Sequence, residues 1–173
     1  MGHIMSDYID RRTRRTNATA AVVFRVVCGI GGKRGWYSPQ WLWELRGFLD
    51  RLIGGPGMGR QRRDPDLLEV GDAVGFWRVI QLKEPNHVYF LAEMKVPGIA
   101  SLEFEIEPEE PENPGSTVSF LTHTAKFEPR GPLGHVYWWF LIPVHRWVFE
   151  RMVKGIVEAA EREQIAAQRG MPR

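Results

Sequence analysis

Residues 136–157, VYWWFLIPVHRWVFERMVKGIV, constrain this chain more than any other stretch. Three of the seven tryptophans (Trp138, Trp139, Trp147) crowd into it beside Tyr137, Phe140 and Phe149. Leu141, His145, Val148, Met152, Ile156 and Ala159 recur at the helical period. The spacing predicts one long C-terminal helix that runs out through residue 168. A kink is expected near Pro143, because proline inside a helix removes a backbone bond and clashes with the preceding turn. A stripe that bulky needs a broad apolar partner. The strongest apolar run, 136–144, is far shorter than the roughly 20 residues of a bilayer span. Extending it takes in His145 and Arg146. No transmembrane segment is expected, while contact with a membrane interface stays open.

The partner surface is written upstream in period two. Residues 73–83 (AVGFWRVIQLK) are rich in aromatic and branched side chains and predict a strand. Either Trp77 and Val79 or Phe76, Arg78 and Ile80 point inward; periodicity leaves both open. A turn at 84–87 leads to a strand over 88–96, with Phe90, Ala92, Met94 and Val96 on one face. The stretch 99–107 alternates most cleanly, Leu102, Phe104 and Ile106 inward against Ser101, Glu103, Glu105 and Glu107. An acidic, proline-containing loop (108–116) precedes a last strand, 117–127. Its inward set is Leu121, His123, Ala125 and Phe127.

The N-terminal part supplies a strand and two helices. Residues 8–16 predict an edge strand carrying Arg11, Arg12, Arg14 and Arg15. Attraction to phosphate or anionic lipid is one reading of that run; a solvated terminal strand is the favoured one. Asn17 or Thr16 is expected to cap a helix over 18–28. The glycine-rich run 29–35 has neither the dinucleotide-binding nor the P-loop spacing, so it reads as a helix end and turn. A second helix is expected over 39–53, with Trp41, Leu42, Leu45, Phe48, Leu49 and Leu52 as a core stripe. Arg60, Arg62 and Arg63 beside Asp64 and Asp66 read as local ion pairs in an exposed connection rather than catalytic carboxylates. The segregated order (strand, two helices, antiparallel meander, helix) predicts an α+β fold, a curved antiparallel sheet closed by the last helix.

A chain of 173 residues fits one domain. It is expected over 8–163, with 1–7 a disordered or added tail and 164–173 a flexible one. A net charge of +2 gives no case for nucleic acid. The single cysteine, Cys28, excludes an intrachain disulfide and fits a reducing, cytoplasmic setting. The charged N-terminus has no apolar stretch of the secretory kind.

Several motifs together resemble a known family. They are Trp36 and Tyr37, Trp41 and Trp43, GRQRRDP at 59–65, VGD at 70–72, FWRV at 76–79 and AEMKVPG at 92–98. Further on come Thr124 and Ala125, FEPRG at 127–131, and Tyr137 and Trp138. The sequence resembles a bacterial family of unknown function, often found C-terminal to an NAD(P)-binding, epimerase-like domain. That family is similar to the START and birch-pollen-allergen (SRPBCC) superfamily, the helix-grip fold. The likeness covers about 17–157. It implies a curved sheet gripping the C-terminal helix around a hydrophobic cavity, and it brings no catalytic residues to transfer. The chain is expected to lack room for the upstream cofactor domain, so no cofactor is expected. His123 stands where the family carries a glutamine-like residue.

Three functions follow. The first is binding of a lipid-like or polyketide-like small molecule between sheet and helix, lined by Trp41, Trp77, Arg78, Met94, Phe104, Leu121, His123, Trp138, Leu141, His145 and Met152. The second is a cyclase or dehydratase in the same cavity, with His123 or His145 carrying the proton. The third is a non-catalytic interaction module, in which the Trp-rich segment 36–53 or the start of the last helix docks on a separate NAD(P)-binding protein, another copy of the chain or a membrane surface; the chain is expected as monomer or homodimer. The sequence leans away from an enzyme. Two histidines make a poor metal site, and none is expected. Cys28 near a helix end reads as a structural thiol.

Overall fold

The computed structural model describes residues 7–58, 62–64, 67–113 and 116–170. Arg60, Asp66 and part of the 59–65 motif lie outside them. Nine elements follow in order: β1 (Tyr8–Thr16), α1 (Ala20–Cys28), α2 (Gln40–Leu52), β2 (Ala73–Val74), β3 (Trp77–Lys83), β4 (His87–Ala92), β5 (Gly98–Pro108), β6 (Ser119–Pro129) and α3 (Gly131–Gln168). The strands form a six-stranded sheet in the order β1-β6-β5-β4-β3-β2. Every pairing is antiparallel.

The period-two segments take the faces their alternation demands. Leu102, Phe104 and Ile106 of β5 and Leu121, His123, Ala125 and Phe127 of β6 are buried. Register matches them across the strands, Phe104 opposite His123 and Ile106 opposite Leu121. On β3 the inward pair is Trp77 and Val79. The expected single strand over 73–83 is instead a hairpin. Gly75 adopts φ 60, a left-handed conformation that glycine tolerates, and the chain reverses so that Val74 pairs with Trp77.

The helix cap also moves. Thr16 ends β1, and Thr19 caps α1 by accepting the Val22 amide through its hydroxyl at 3.3 Å. α1 packs on α3 and on β4, β5 and β6. Val23, Val26 and Val27 meet Met152, Val153 and Ile156 in one core. α3 continues to Gln168, into the stretch expected to be a tail. There Gln164 accepts the Thr19 amide at 3.3 Å, and just before that stretch Glu163 pairs with Arg25 and Arg34.

The arginine run of β1 is committed to the fold. Arg12 reaches Asp10 and Glu150 at 2.8 and 2.7 Å, and Arg14 also contacts Glu150. Arg11 faces Glu105 at 3.3 Å and Arg15 faces Glu109 at 2.9 Å. Inward-pointing charges on an edge strand discourage edge-to-edge pairing, and here they tie that edge to α3.

α2 departs furthest from expectation. Its stripe of Trp41, Leu45, Phe48, Leu49 and Leu52 is exposed, while Trp43, Gly47 and Asp50 are buried. Three contacts set that orientation. Trp43 stacks on Trp36 at 4.3 Å and donates its indole N–H to Ser38 at 2.7 Å. Gly47 leaves the space that Met58 occupies, where an added Cβ would lie 2.2 Å from the Met58 side chain. Asp50, fully buried, accepts the amides of Gly57 at 2.9 Å and Lys95 at 2.7 Å. A buried carboxylate with satisfied oxygens is costly to turn outward, because those amides would then lose their acceptor.

Candidate functional site

A cavity of about 250 Å³ lies between the sheet and the first half of α3, with α2 along one side. Its floor comes from the inward faces of β3, β5 and β6: Trp77, Ala100, Leu102, Ala125 and Phe127. Leu42, Leu45 and Leu49 of α2 form one wall, and Leu141, Val144 and Val148 of α3 the other. Met94 and Val96, just past β4, complete the ring. Leu45, Leu49 and Val144 are also solvent-exposed, so they mark the mouth.

The cavity does not extend the length of α3. Beyond Phe149 the space is filled by Met152, Val153 and Ile156 against α1. Pro143 lies at the mouth end of the helix and gives no amide to the Trp139 carbonyl.

Few polar groups reach the lining: Arg46, Ser101, Lys126, Tyr137 and His145. Arg46 lies over the Phe76 ring at 5.9 Å and donates to the Met94 sulfur at 3.0 Å, with Asp50 3.9 Å away. Burial raises the Tyr137 phenol above its ordinary range, and the nearby Arg46 charge partly opposes this. His145 is pushed down to about 4, by burial first and then by Arg46. It is therefore a neutral imidazole at physiological pH, held against Trp138 at 4.9 Å and Phe149 at 5.4 Å. Its buried Nδ1 has no hydrogen-bond partner within the protein. Lys126 is engaged by Asp7 and Glu128 at 3.0 and 2.7 Å.

The expected site residues divide into four groups. Trp77, Met94, Trp138, Leu141 and His145 line the cavity. Phe104, Leu121, His123 and Met152 are in the packed interior and do not. His123 sits between Phe104 and Phe149, 4.9 Å from each ring, and burial pushes its pKa down to about 3. Phe149, on the cavity wall, packs against both histidines. Arg78 lies on the outer side of the sheet, bound to Glu93 at 2.8 and 3.0 Å and to the Gly71 carbonyl at 2.6 Å. Trp41 points to solvent.

Sequence reasoning placed Leu42, Leu45 and Leu49 in a packed core stripe and so missed them as cavity wall, and it missed Arg46 altogether. It also missed Tyr137 and Phe149, although both lie in the segment that was singled out. The usable signal was Asp50: a carboxylate within an apolar stripe, followed by a glycine-rich turn that offers it amides.

Cys28 is buried, and its thiol is pushed up to about 12, chiefly by that burial, which suits a structural role. Among the described residues no cluster of three or more His, Cys, Asp or Glu is placed to hold a metal. Among the same residues no helix is long and apolar enough to cross a membrane.

Comparison with known proteins agrees with this geometry. Residues 5–152 match the family described as "Protein of unknown function (DUF2867)", and the chain belongs to that family. No curated protein matches it. Among solved structures it is similar to truncated norcoclaurine synthase from Thalictrum flavum, at 9% identity and a TM-score of 0.52. That match covers 91% of this chain and 96% of the other. A protein from Thermobifida fusca, solved by solution NMR, matches at 14% identity and a TM-score of 0.53, covering 89% and 93%. An uncharacterized protein from Rhizobium leguminosarum matches at 16% and 0.51, covering 91% and 96%. At such identities the likeness shows the fold alone. It is the helix-grip fold of the birch-pollen-allergen type.

Proposed function

We propose that this member of the family binds a hydrophobic small molecule in the cavity between the sheet and α3. The observation that carries the reading is an apolar cavity of about 250 Å³, open at one end, with Arg46, Tyr137 and His145 in its wall. Ligand sites are typically concave, largely apolar and furnished with a few polar groups that fix orientation. The volume lies just under the ~300–1,000 Å³ of pockets for drug-sized molecules. It suits a compact apolar group, or one end of a longer lipid-like or polyketide-like molecule whose remainder stays in the mouth. Tyr137 and the neutral His145 suit a ligand hydroxyl or carbonyl. A cytoplasmic setting belongs to the same reading.

The test is a titration with decanoate and with naphthalene, followed by calorimetry and native mass spectrometry. Saturable one-to-one binding is expected. Leu141→Trp, which fills the cavity from α3, is expected to weaken it at least roughly tenfold while the melting temperature holds. Absence of saturable binding to either probe, or equal binding by the filled variant, overturns the reading.

One observation favours catalysis as a second reading. His145 is neutral near pH 7 and faces the same space as Tyr137 and Arg46. Its free nitrogen can accept a hydrogen bond or a proton there, and its pKa of about 4 makes it a weak base near pH 7, suited to orienting a substrate more than to abstracting a proton. Once a turned-over substrate is found, replacing His123 and His145 by glutamine tests the assignment. Unchanged turnover removes both residues from the chemistry.

A further inference from the structure

Two helices present apolar stripes outward where they border the cavity mouth. On α2 the stripe is Trp41, Leu45, Phe48, Leu49 and Leu52, with Trp41 60% and Phe48 57% exposed. On α3 it is Leu133, Val136, Phe140, Val144 and Trp147, with Trp139 beside it. Trp139 is 69% and Phe140 68% exposed, and their rings meet edge to face at 5.3 Å. The spacing in each case follows one helical face. Leu45, Leu49 and Val144 belong both to these stripes and to the cavity lining. The two stripes therefore converge on the opening. Isolated exposed apolar residues are ordinary, but bordering stripes of Trp, Phe and Leu mark an interaction face.

Charge decides among the possible occupants. α3 carries no aspartate or glutamate between residues 131 and 149. Glu150, the first beyond, is held by Arg12 and Arg14. Exposed arginines flank the stripes along the chain: Arg51 at the end of α2, Arg130 just before α3, and Arg151 on α3. Arg151 stacks over the Trp147 ring at 4.7 Å. Glu44 is the one exposed acidic side chain on α2. Two-fold pairing with a second copy would set this cationic rim against itself. A bilayer carrying anionic lipid would instead receive the aromatic and leucine side chains at its interface and neutralise the arginines.

We infer that the cavity mouth, framed by α2 and the first half of α3, is a docking face for an anionic membrane surface. The helices lie in the interface without crossing it. The mouth then opens toward acyl chains, so an apolar molecule passes between bilayer and cavity without being stranded in water. The docking claim rests on the surface residues and stands apart from whether the cavity is occupied.

The experiment is co-sedimentation of the full chain with vesicles of phosphatidylcholine alone and of phosphatidylcholine with phosphatidylglycerol. Tryptophan emission is followed, and size-exclusion chromatography with light scattering is run without vesicles. The expected result is binding to the anionic vesicles, a blue shift in emission, and weakening as salt is raised. Trp139→Ser with Phe140→Ser is expected to lower partitioning at least roughly tenfold. Arg51→Gln and Arg151→Gln are expected to lower it roughly fivefold each. Protein left in the supernatant with both vesicle types overturns the inference. So does binding that ignores these substitutions, or a stable dimer or protein complex that covers Trp139 and Phe140. Decanoate binding measured on the same variants without vesicles separates this outcome from the cavity reading: the face variants are expected to keep it.

Discussion

The two halves of α3 belong to one helix and do opposite things with apolar side chains. Over 152–160 the inward residues Met152, Val153, Ile156 and Ala160 are buried. α1 packs there, and no cavity remains. Over 133–147 Trp138 is covered and Tyr137, Leu141 and His145 edge an open space, while Leu133, Val136, Trp139, Phe140 and Trp147 meet solvent. The difference lies in the neighbour. α1 lays an apolar face on the second half of α3. α2 lies beside the first half, held by Asp50 and Trp43 so that Leu42, Leu45 and Leu49 of its stripe edge the cavity while Trp41, Phe48 and Leu52 face solvent. One end of the grip is a folding core and the other is a site.

Substitutions should separate the two ends, and the largest effect belongs to the closed one. Met152→Ala removes a fully buried side chain and is expected to lower unfolding free energy by about 2–5 kcal/mol in denaturant titration. A loss below about 1 kcal/mol would mean that the closed end is as loosely filled as the mouth. Next comes the anchor of α2. Asp50→Ala leaves the Gly57 and Lys95 amides without their acceptor and should cost about 1–3 kcal/mol. Hydrogen exchange should rise at those two amides and along α2, while α1 stays protected.

Acid should act at both ends through the histidines. Unfolded, each imidazole titrates near 6.5; folded, His123 resists protonation down to about 3 and His145 down to about 4. Within that window the unfolded chain binds protons that the native chain refuses. Their contribution is fully present above 6.5 and is lost as pH falls, at up to about 1.4 kcal/mol per pH unit for each group. His123→Gln should flatten the closed-end share, with His145→Gln doing the same at the mouth. Stability profiles of these variants parallel to the parent's would contradict the burial assigned to them. The smallest effect is expected at the open surface. Phe140→Ser should leave stability within about 0.5 kcal/mol, and a larger loss would place that ring in a core.

Much of this was legible in the chain. Alternation in β5 and β6 placed Leu102, Phe104, Leu121, His123 and Phe127 on the inner face, because a period of two fixes a side once one residue is known. The helical period did the same for Leu141, Val148, Met152 and Ile156. What periodicity cannot give is depth along a face. Phe104, Leu121, His123 and Met152 share their faces with true lining residues but lie where α1 fills the interior. Arg78 was lost to an open choice of face that β3 resolves in favour of Trp77. The orientation of α2 failed for a different reason. Counting apolar residues ignores one buried carboxylate that accepts two amides, and here that carboxylate turns the helix so that its stripe lies at the cavity mouth instead of in the core. Gly75 broke the expected strand in the same local way, through a conformation the alternation pattern does not register.

The contrast between the two ends comes down to whether an apolar molecule enters only one of them. Methyl-detected NMR of the leucine, isoleucine, valine and methionine side chains during a decanoate titration tests this directly. The predicted result is saturable shifts at Leu42, Leu49, Met94, Leu141 and Val148, with Val23, Val27, Met152 and Ile156 unmoved. Shifts spread evenly over both groups, or confined to exposed methyls such as Leu133 without saturation, would contradict a cavity that binds at the open end.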